Sequence, residues 1–196
     1  MSQPEMIKVW DPLVRIFHWT LVLAFTVAYF TEDDFLTPHV WAGYLLLALL
    51  LIRIIWGFIG SPYARFNNFV YSIATIKSYL KDTIAFRSKR YLGHNPAGGA
   101  MILLLIFSLL ITSISGLAIY GIEEKAGPLA SMLGHLGEFW EEVTEEIHEF
   151  FANFTLFLIF IHIAGVIFES LMHKESLVKA MFNGYKRRQD VNRDNH

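Results

Sequence analysis

Four of the eight histidines, His18, His39, His148 and His162, lie inside or at the ends of long apolar segments. An ionisable residue is costly inside a membrane, and its presence there indicates a function. His148 and His162 are fourteen positions apart, and the intervening EFFANFTLFLIFI is almost wholly apolar. In an α-helix this spacing is close to four turns, which places both imidazoles on one face about 21 Å apart along the axis. Because imidazole nitrogens are strong metal ligands, the spacing predicts two sites at two depths.

The composition predicts an integral membrane protein. Of the 196 residues, 54% are hydrophobic and 15% are aromatic, which is more apolar surface than one small water-soluble core can bury. The absence of cysteine excludes disulfides, cysteine-ligated iron–sulfur clusters and the covalent attachment of c-type haem. The first apolar run has no small-residue cleavage site after it, so we expect it to be retained as a membrane span.

Four apolar segments are each long enough to cross about 30 Å of hydrocarbon. We expect an all-α integral membrane fold, a four-helix transmembrane bundle that forms one membrane domain over residues 1–196. Apolar residues at helical spacing over 66–84 and 129–143 predict two short interfacial amphipathic helices, one on each side of the membrane. The predicted spans cover about residues 13–31, 38–59, 97–120 and 145–172.

The positive charges predict the orientation of these spans. An even number of spans places both termini on one side, and only Lys125 of the sixteen Lys and Arg residues then falls on the other. Since short cytoplasmic loops retain Lys and Arg, we expect both termini in the cytoplasm, with the protein in a bacterial inner membrane. The outer side is acidic: it carries Glu32, Asp33, Asp34, Glu123, Glu124, Glu138, Glu141, Glu142, Glu145 and Glu146.

This topology pairs the histidines by depth. His39 opens the second span at the level of His148, while His18, near the inner end of the first span, approaches the level of His162. Each pair could fill both axial positions of a haem iron, and any haem here would be bound non-covalently. The alternatives are interhelical hydrogen bonding, a zinc site and a proton relay. Zinc would need more than two ligands at each level, and a relay would be expected to show more carboxylates deep in the spans.

Four segments of the chain resemble the prokaryotic cytochrome b561 family. They are RIFHW in the first span, HVWAG in the second, and EEIHEFFAN and FIHIAG in the fourth. This family includes the membrane b-type subunits of nickel–iron hydrogenases and stand-alone four-helix di-haem cytochromes. The resemblance implies two haem b groups, with His18 and His162 binding the cytoplasmic-side haem and His39 and His148 the periplasmic-side one. The loop sequence YLGHNPAGGA resembles a segment of the hydrogenase-type members.

Several further residues are candidates for contact with these haems. Gly43, Gly116 and Gly165 could let a porphyrin lie close to a helix, although close helix–helix packing would explain them as well. Arg53, fourteen positions after His39, could pair with a propionate of the inner haem, and Arg15 could do the same. The alternative for both arginines is that they extend to the lipid headgroups.

Bis-histidine ligation leaves no open position on iron, and this favours electron transfer over ligand chemistry. We expect a transmembrane carrier between the quinone pool and a periplasmic redox protein, such as a c-type cytochrome, a hydrogenase or another oxidoreductase. A different class is a quinone-linked oxidoreductase that oxidises a small external reductant such as superoxide, although an acidic outer surface would repel that anion. A haem-free transporter would require the histidines to be incidental. The partners we expect are membrane lipid, quinone and a redox protein, with a homodimer possible and no nucleic acid.

Overall fold

The structure is a computed structural model, and it describes residues 5–32 and 35–188. Asp33 and Asp34 of the predicted acidic loop and the last residues of the basic tail lie outside these ranges. Four of the helices are long and apolar enough to cross a membrane, namely α1, α2, α4 and α6 as numbered below. The elements in chain order are β1 Met6–Lys8, α1 Pro12–Phe30, α2 Leu36–Ile59, α3 Ile73–Ile84, α4 Pro96–Ile122, α5 Ala130–Leu133, α6 Glu138–Met172, α7 Leu177–Asn183 and β2 Tyr185–Arg187.

The first three long helices begin and end within two residues of the predicted spans, but the fourth begins seven residues early, at Glu138 rather than at 145. The outer stretch 129–143 is therefore not a single amphipathic helix. Its first part forms only the short α5, which is capped by Gly134, and its second part is the start of α6. Glu138 and Glu141 lie in the first turn of α6, where negative charge interacts favourably with the helix dipole.

The inner amphipathic stretch is also shorter than the predicted 66–84. A 3₁₀ turn at Phe66–Asn68 precedes α3, which starts at Ile73. The side chain of Ser72 accepts a hydrogen bond from the backbone N–H of Thr75 at 3.1 Å, which caps the helix. The cap satisfies a backbone donor that has no partner within the helix, so it fixes where α3 begins.

One compact unit comprises Trp19–Arg53 and Ile102–Ile161, which are parts of the four long helices. Its apolar core is built from small and branched side chains, including Ala24, Ala42, Leu46, Leu50 and Leu109. A polar contact crosses this core, because the buried hydroxyls of Ser108 on α4 and Thr155 on α6 lie 2.7 Å apart. Hydroxyl pairs of this kind hold helices together where no water is present to compete for them.

A second unit contains the two chain ends, residues 54–101 and the inner part of α6. Strand β2 pairs antiparallel with β1, and Ile7 lies opposite Lys186. Residues 185–187 of the basic C-terminal segment therefore form a paired strand. Gly184, with φ of 87°, ends α7 in the left-handed conformation that turns the chain into β2.

A network of charges is buried beside this sheet. Glu175 accepts from Arg90 Nη2 at 2.8 Å and from the backbone N–H of Arg187 at 3.1 Å. Lys186, only 4% exposed, lies 3.6 Å from the same carboxylate and also donates to the carbonyl of Tyr91 at 3.0 Å. Burial alone would raise the pKa of Glu175, but the bonds from Arg90 and Arg187 and the charge of Lys186 outweigh it and lower that pKa.

Removal of the Glu175 carboxylate should destabilise this unit. In Glu175→Ala the buried Lys186 and Arg90 lose their counter-charge, and removing one partner of a buried pair costs about 3–5 kcal/mol. The matched control is Glu5→Ala, because the Glu5–Arg188 pair has side chains 64% and 60% exposed and should contribute at most about 1 kcal/mol. Thermal unfolding of the purified protein in detergent compares the two, and equal losses would contradict the prediction.

The same carboxylate predicts an acid limit to stability. Since folding lowers its pKa, its contribution is complete above the unfolded-state value near 4.5 and is lost as the pH falls through the lower folded value. Glu175→Gln should therefore flatten the fall in unfolding temperature below about pH 5, whereas Glu5→Gln should not.

Candidate haem-binding sites

His39 on α2 and His148 on α6 face one another in the first unit. Their ring centroids are 6.0 Å apart and the ring planes are inclined by 71°. A metal bound between two imidazole nitrogens, with bonds of about 2 Å, requires ring centroids roughly 6 Å apart. The separation of the two rings thus fits an iron held between them.

Both imidazoles are oriented by backbone carbonyl groups. The Nδ1 atom of His39 lies 2.8 Å from the carbonyl oxygen of Ala28, and that of His148 lies 2.9 Å from the carbonyl oxygen of Thr112. Because a carbonyl can only accept, each Nδ1 carries the proton and donates it. The Nε2 atom of each ring is then the unprotonated nitrogen, which is the form that binds a metal.

A cavity of about 640 Å³, which includes space open to the outside, adjoins this pair. Apolar side chains such as Phe25, Leu46 and Leu117 line much of it, and the two histidines belong to the same wall. An apolar cavity with two facing imidazoles suits a porphyrin, whose flat faces are apolar and whose metal takes two axial ligands.

Two of the predicted glycines belong to this site. A Cβ at Gly116 would lie 2.7 Å from Cε1 of His148, so the absence of a side chain at 116 makes room for that imidazole. Gly43 lines the cavity, and a Cβ there would meet no atom within 4 Å. Helix packing therefore does not explain Gly43, and a Cβ at Gly165 likewise meets nothing within 4 Å.

The inner pair, His18 on α1 and His162 on α6, lies in the second unit, and both rings are half-buried. Two turns along α6 from His162, Glu169 accepts a hydrogen bond from the hydroxyl of Tyr79 at 2.9 Å. The other oxygen of this carboxylate lies 3.2 Å from Nε2 of His173. Glu169 thereby links α3 to α6 near the inner pair.

The two predicted arginines differ in exposure, since Arg53 is buried and Arg15 is half-buried. Arg53 is 3% exposed, which does not fit a side chain that reaches for the headgroups. Arg15 donates from Nη1 to the carbonyl of Phe182 at the end of α7, where a cation also interacts favourably with the helix dipole. Arg15 thus holds the C-terminal helix, a partner that its position in the sequence did not reveal.

Within residues 5–32 and 35–188, no three His, Cys, Asp or Glu side chains are grouped so that they could hold a metal ion. The two histidine pairs therefore fit a cofactor that brings four equatorial ligands of its own better than they fit a bare zinc ion. The sequence did not indicate the carbonyl groups of Ala28 and Thr112 or the tyrosines of the cavity. A backbone carbonyl has no sequence signal, and an aromatic residue in a span is usually part of the packing.

These features define a class, the membrane cytochromes that hold haem b between helices. A model of the family described as prokaryotic cytochrome b561 matches residues 9–184. The chain belongs to that family and is an all-helical membrane cytochrome of the electron-transfer type.

Three relatives are described as probable B-type cytochrome subunits of Ni/Fe-hydrogenases. The one from Rhizobium leguminosarum bv. viciae is 29% identical, over 95% of this chain and 92% of its own length. The one from Cupriavidus necator is 26% identical, over 91% and 86%. One from Escherichia coli strain K12, described as hydrogenase 1 subunit, is 24% identical, over 91% and 89%.

An alanine at position 116 should disturb the outer site selectively. In Gly116→Ala the new methyl group would press on the His148 ring, so we expect one haem to be lost or to show an altered spectrum. Gly137→Ala is the control. A Cβ at Gly137 would meet no atom within 4 Å, and Gly137 lies outside the cavity. The absorbance of the reduced, purified protein measures the effect. An unchanged spectrum and haem content in Gly116→Ala would contradict the assignment.

Proposed function

We propose that the protein is a transmembrane electron carrier with two haem b groups, each held by two histidines. The observation that carries the proposal is the pair His39 and His148, which face one another at 6.0 Å beside a cavity with both Nδ1 atoms engaged by carbonyl groups. His18 and His162 form the corresponding inner pair. A single continuous helix, α6, supplies one histidine to each pair.

The haem, when bound, supplies reversible one-electron chemistry, and the protein controls access to it. A haem held between two histidines would have no open position for small molecules, and this would favour outer-sphere electron transfer. The Ala28 and Thr112 carbonyl groups fix the ring orientation and raise the basicity of Nε2, and this stabilises the more positive oxidation state. The apolar side chains of the cavity wall would contact the faces of the porphyrin.

We further propose that both termini are cytoplasmic, that the membrane is the bacterial inner membrane, and that electrons pass between quinone and a periplasmic redox protein. The relatives are named for a nickel–iron hydrogenase, which supports a metalloenzyme of that kind as the partner. Lys and Arg concentrate on the proposed cytoplasmic side, in agreement with the positive-inside rule. This arrangement places His39 and His148 on the side of the partner.

The outer surface favours a basic docking face on that partner. Burial, followed by the negative charges of Glu124, Glu141 and Glu145, raises the pKa of Glu123, so these carboxylates act on one another. A concentrated negative field attracts a positively charged protein and repels small anions. Superoxide is an anion, so this surface would repel it. The surface thus favours an electron carrier over an oxidoreductase that oxidises superoxide.

Substitution of single histidines should separate the two haems. We expect His39→Ala or His148→Ala to remove or alter one haem, and His18→Ala or His162→Ala to remove or alter the other, because each pair holds one iron. The measurement is the haem-to-chain ratio together with the reduced-minus-oxidised spectrum at low temperature. His135→Ala is the control, since His135 is exposed and lies outside both pairs. A wild-type chain without haem, or equal loss of both spectral components in every folded variant, would rule out the proposal.

Neutralising the exposed start of α6 should slow reduction by a basic donor. In the triple variant Glu138→Gln, Glu141→Gln, Glu142→Gln, we expect the second-order rate with reduced, positively charged soluble cytochrome c to fall roughly tenfold at low salt. Its salt dependence should also flatten, because fewer charges are left to screen. Lys77→Gln with Lys81→Gln on α3 is the control. Stopped-flow rates that match the wild type at every ionic strength would contradict electrostatic docking at this surface.

A further inference from the structure

Three tyrosines line the outer cavity, and their hydroxyl groups differ in their partners. The hydroxyl of Tyr29 donates to Asn153 Oδ1 at 3.0 Å. Within the described parts of the chain, the hydroxyls of Tyr44 and Tyr120 form no hydrogen bond. Both residues are half-buried and line the cavity, so their hydroxyls can donate to a group that is bound there.

The two phenol rings come together at one end of the cavity. Tyr44 is on α2 and Tyr120 is on the last turns of α4. A Cβ at Gly127, in the loop after α4, would lie 2.9 Å from Oη of Tyr44 and 2.7 Å from Cδ1 of Tyr120. Gly127 has φ of +76°, so this loop turns closely over both rings. The juxtaposition places two hydrogen-bond donors from different helices beneath a single loop.

The charges of the cavity wall limit which groups can bind a carboxylate. Among the described residues that line it, none is Lys or Arg, and Glu32 is negatively charged. Haem b has two propionate groups, and a carboxylate in such a place needs cations or hydrogen-bond donors. Tyr44 and Tyr120 are two donors of this lining that form no hydrogen bond with the described residues.

We propose that the hydroxyl groups of Tyr44 and Tyr120 bind the propionate carboxylates of the outer haem. This inference rests on the proposed function, since it requires a haem between His39 and His148. The two tyrosines would compensate the carboxylate charge as neutral hydrogen-bond donors, without a salt bridge. Because neutral donors compensate charge only in part, the carboxylates keep much of their negative charge near the iron and favour its oxidised form.

The test uses the purified full-length cytochrome with its haems and compares Tyr44→Phe, Tyr120→Phe and the double variant with Tyr29→Phe. The Phe residues keep the ring and remove only the donor. Redox titration followed in the visible range gives the potential of each haem, and redox-difference infrared spectra report the propionate carboxylate bands. We expect each single variant to shift the carboxylate bands and lower the outer haem potential, and the double variant to do so further. The inner haem should not change, and Tyr29→Phe should leave both haems unchanged.

If the double variant keeps its outer haem with unchanged bands and potential, the proposal is overturned. Loss of the outer haem in Tyr44→Phe and Tyr120→Phe but not in Tyr29→Phe supports it, whereas equal loss in all three indicates general collapse of the cavity and overturns it. Failure of the proposed function looks different, because the wild type would then contain no haem or would keep both haems after His39→Ala and His148→Ala.

Discussion

The hydrogen bond from an imidazole Nδ1–H to a main-chain carbonyl group is the interaction on which the outer site depends. In an apolar interior, an imidazole with an unsatisfied nitrogen is costly, and a ring free to rotate would not present a defined ligand atom. The carbonyl groups of Ala28 and Thr112 remove both difficulties. They come from α1 and α4, which carry neither histidine of this pair, so all four long helices contribute to one site. The third span therefore contributes to the site without a histidine of its own.

The sequence was sufficient to predict the parts of the protein that follow from periodicity and solvation. Long apolar runs predicted the positions of α1, α2 and α4 to within two residues, and the histidines at matched depth predicted that His39 would face His148. Both rest on constraints that act locally, namely the thickness of the hydrocarbon layer and the helical repeat. Gly116 was predicted as a candidate for contact with a porphyrin. In the structure it lies against the imidazole ring of His148.

The remaining features depend on contacts between residues far apart in the chain. Nothing in the basic composition of Tyr185–Arg187 predicts that these residues form a strand, because the pairing requires β1 at the other end of the chain. Arg15 could have bound lipid or haem, and its partner is the end of α7. The early start of α6 was missed because its first turns are acidic, although acidic residues are favourable at the beginning of a helix. The structure of these segments thus depends on tertiary partners and on the ends of helices, which the local sequence pattern does not reveal.

The length of α6 has a mechanical consequence. A helix of 35 residues is about 52 Å long, well beyond the roughly 30 Å of the hydrocarbon layer. Between its exposed start and His148 the helix is unbroken, so the acidic residues and His148 belong to one continuous helix. Glu138 lies about 15 Å from His148 along the helix axis. A displacement of the start of α6 would therefore reach His148, whose ring is held by its hydrogen bond to the carbonyl group of Thr112.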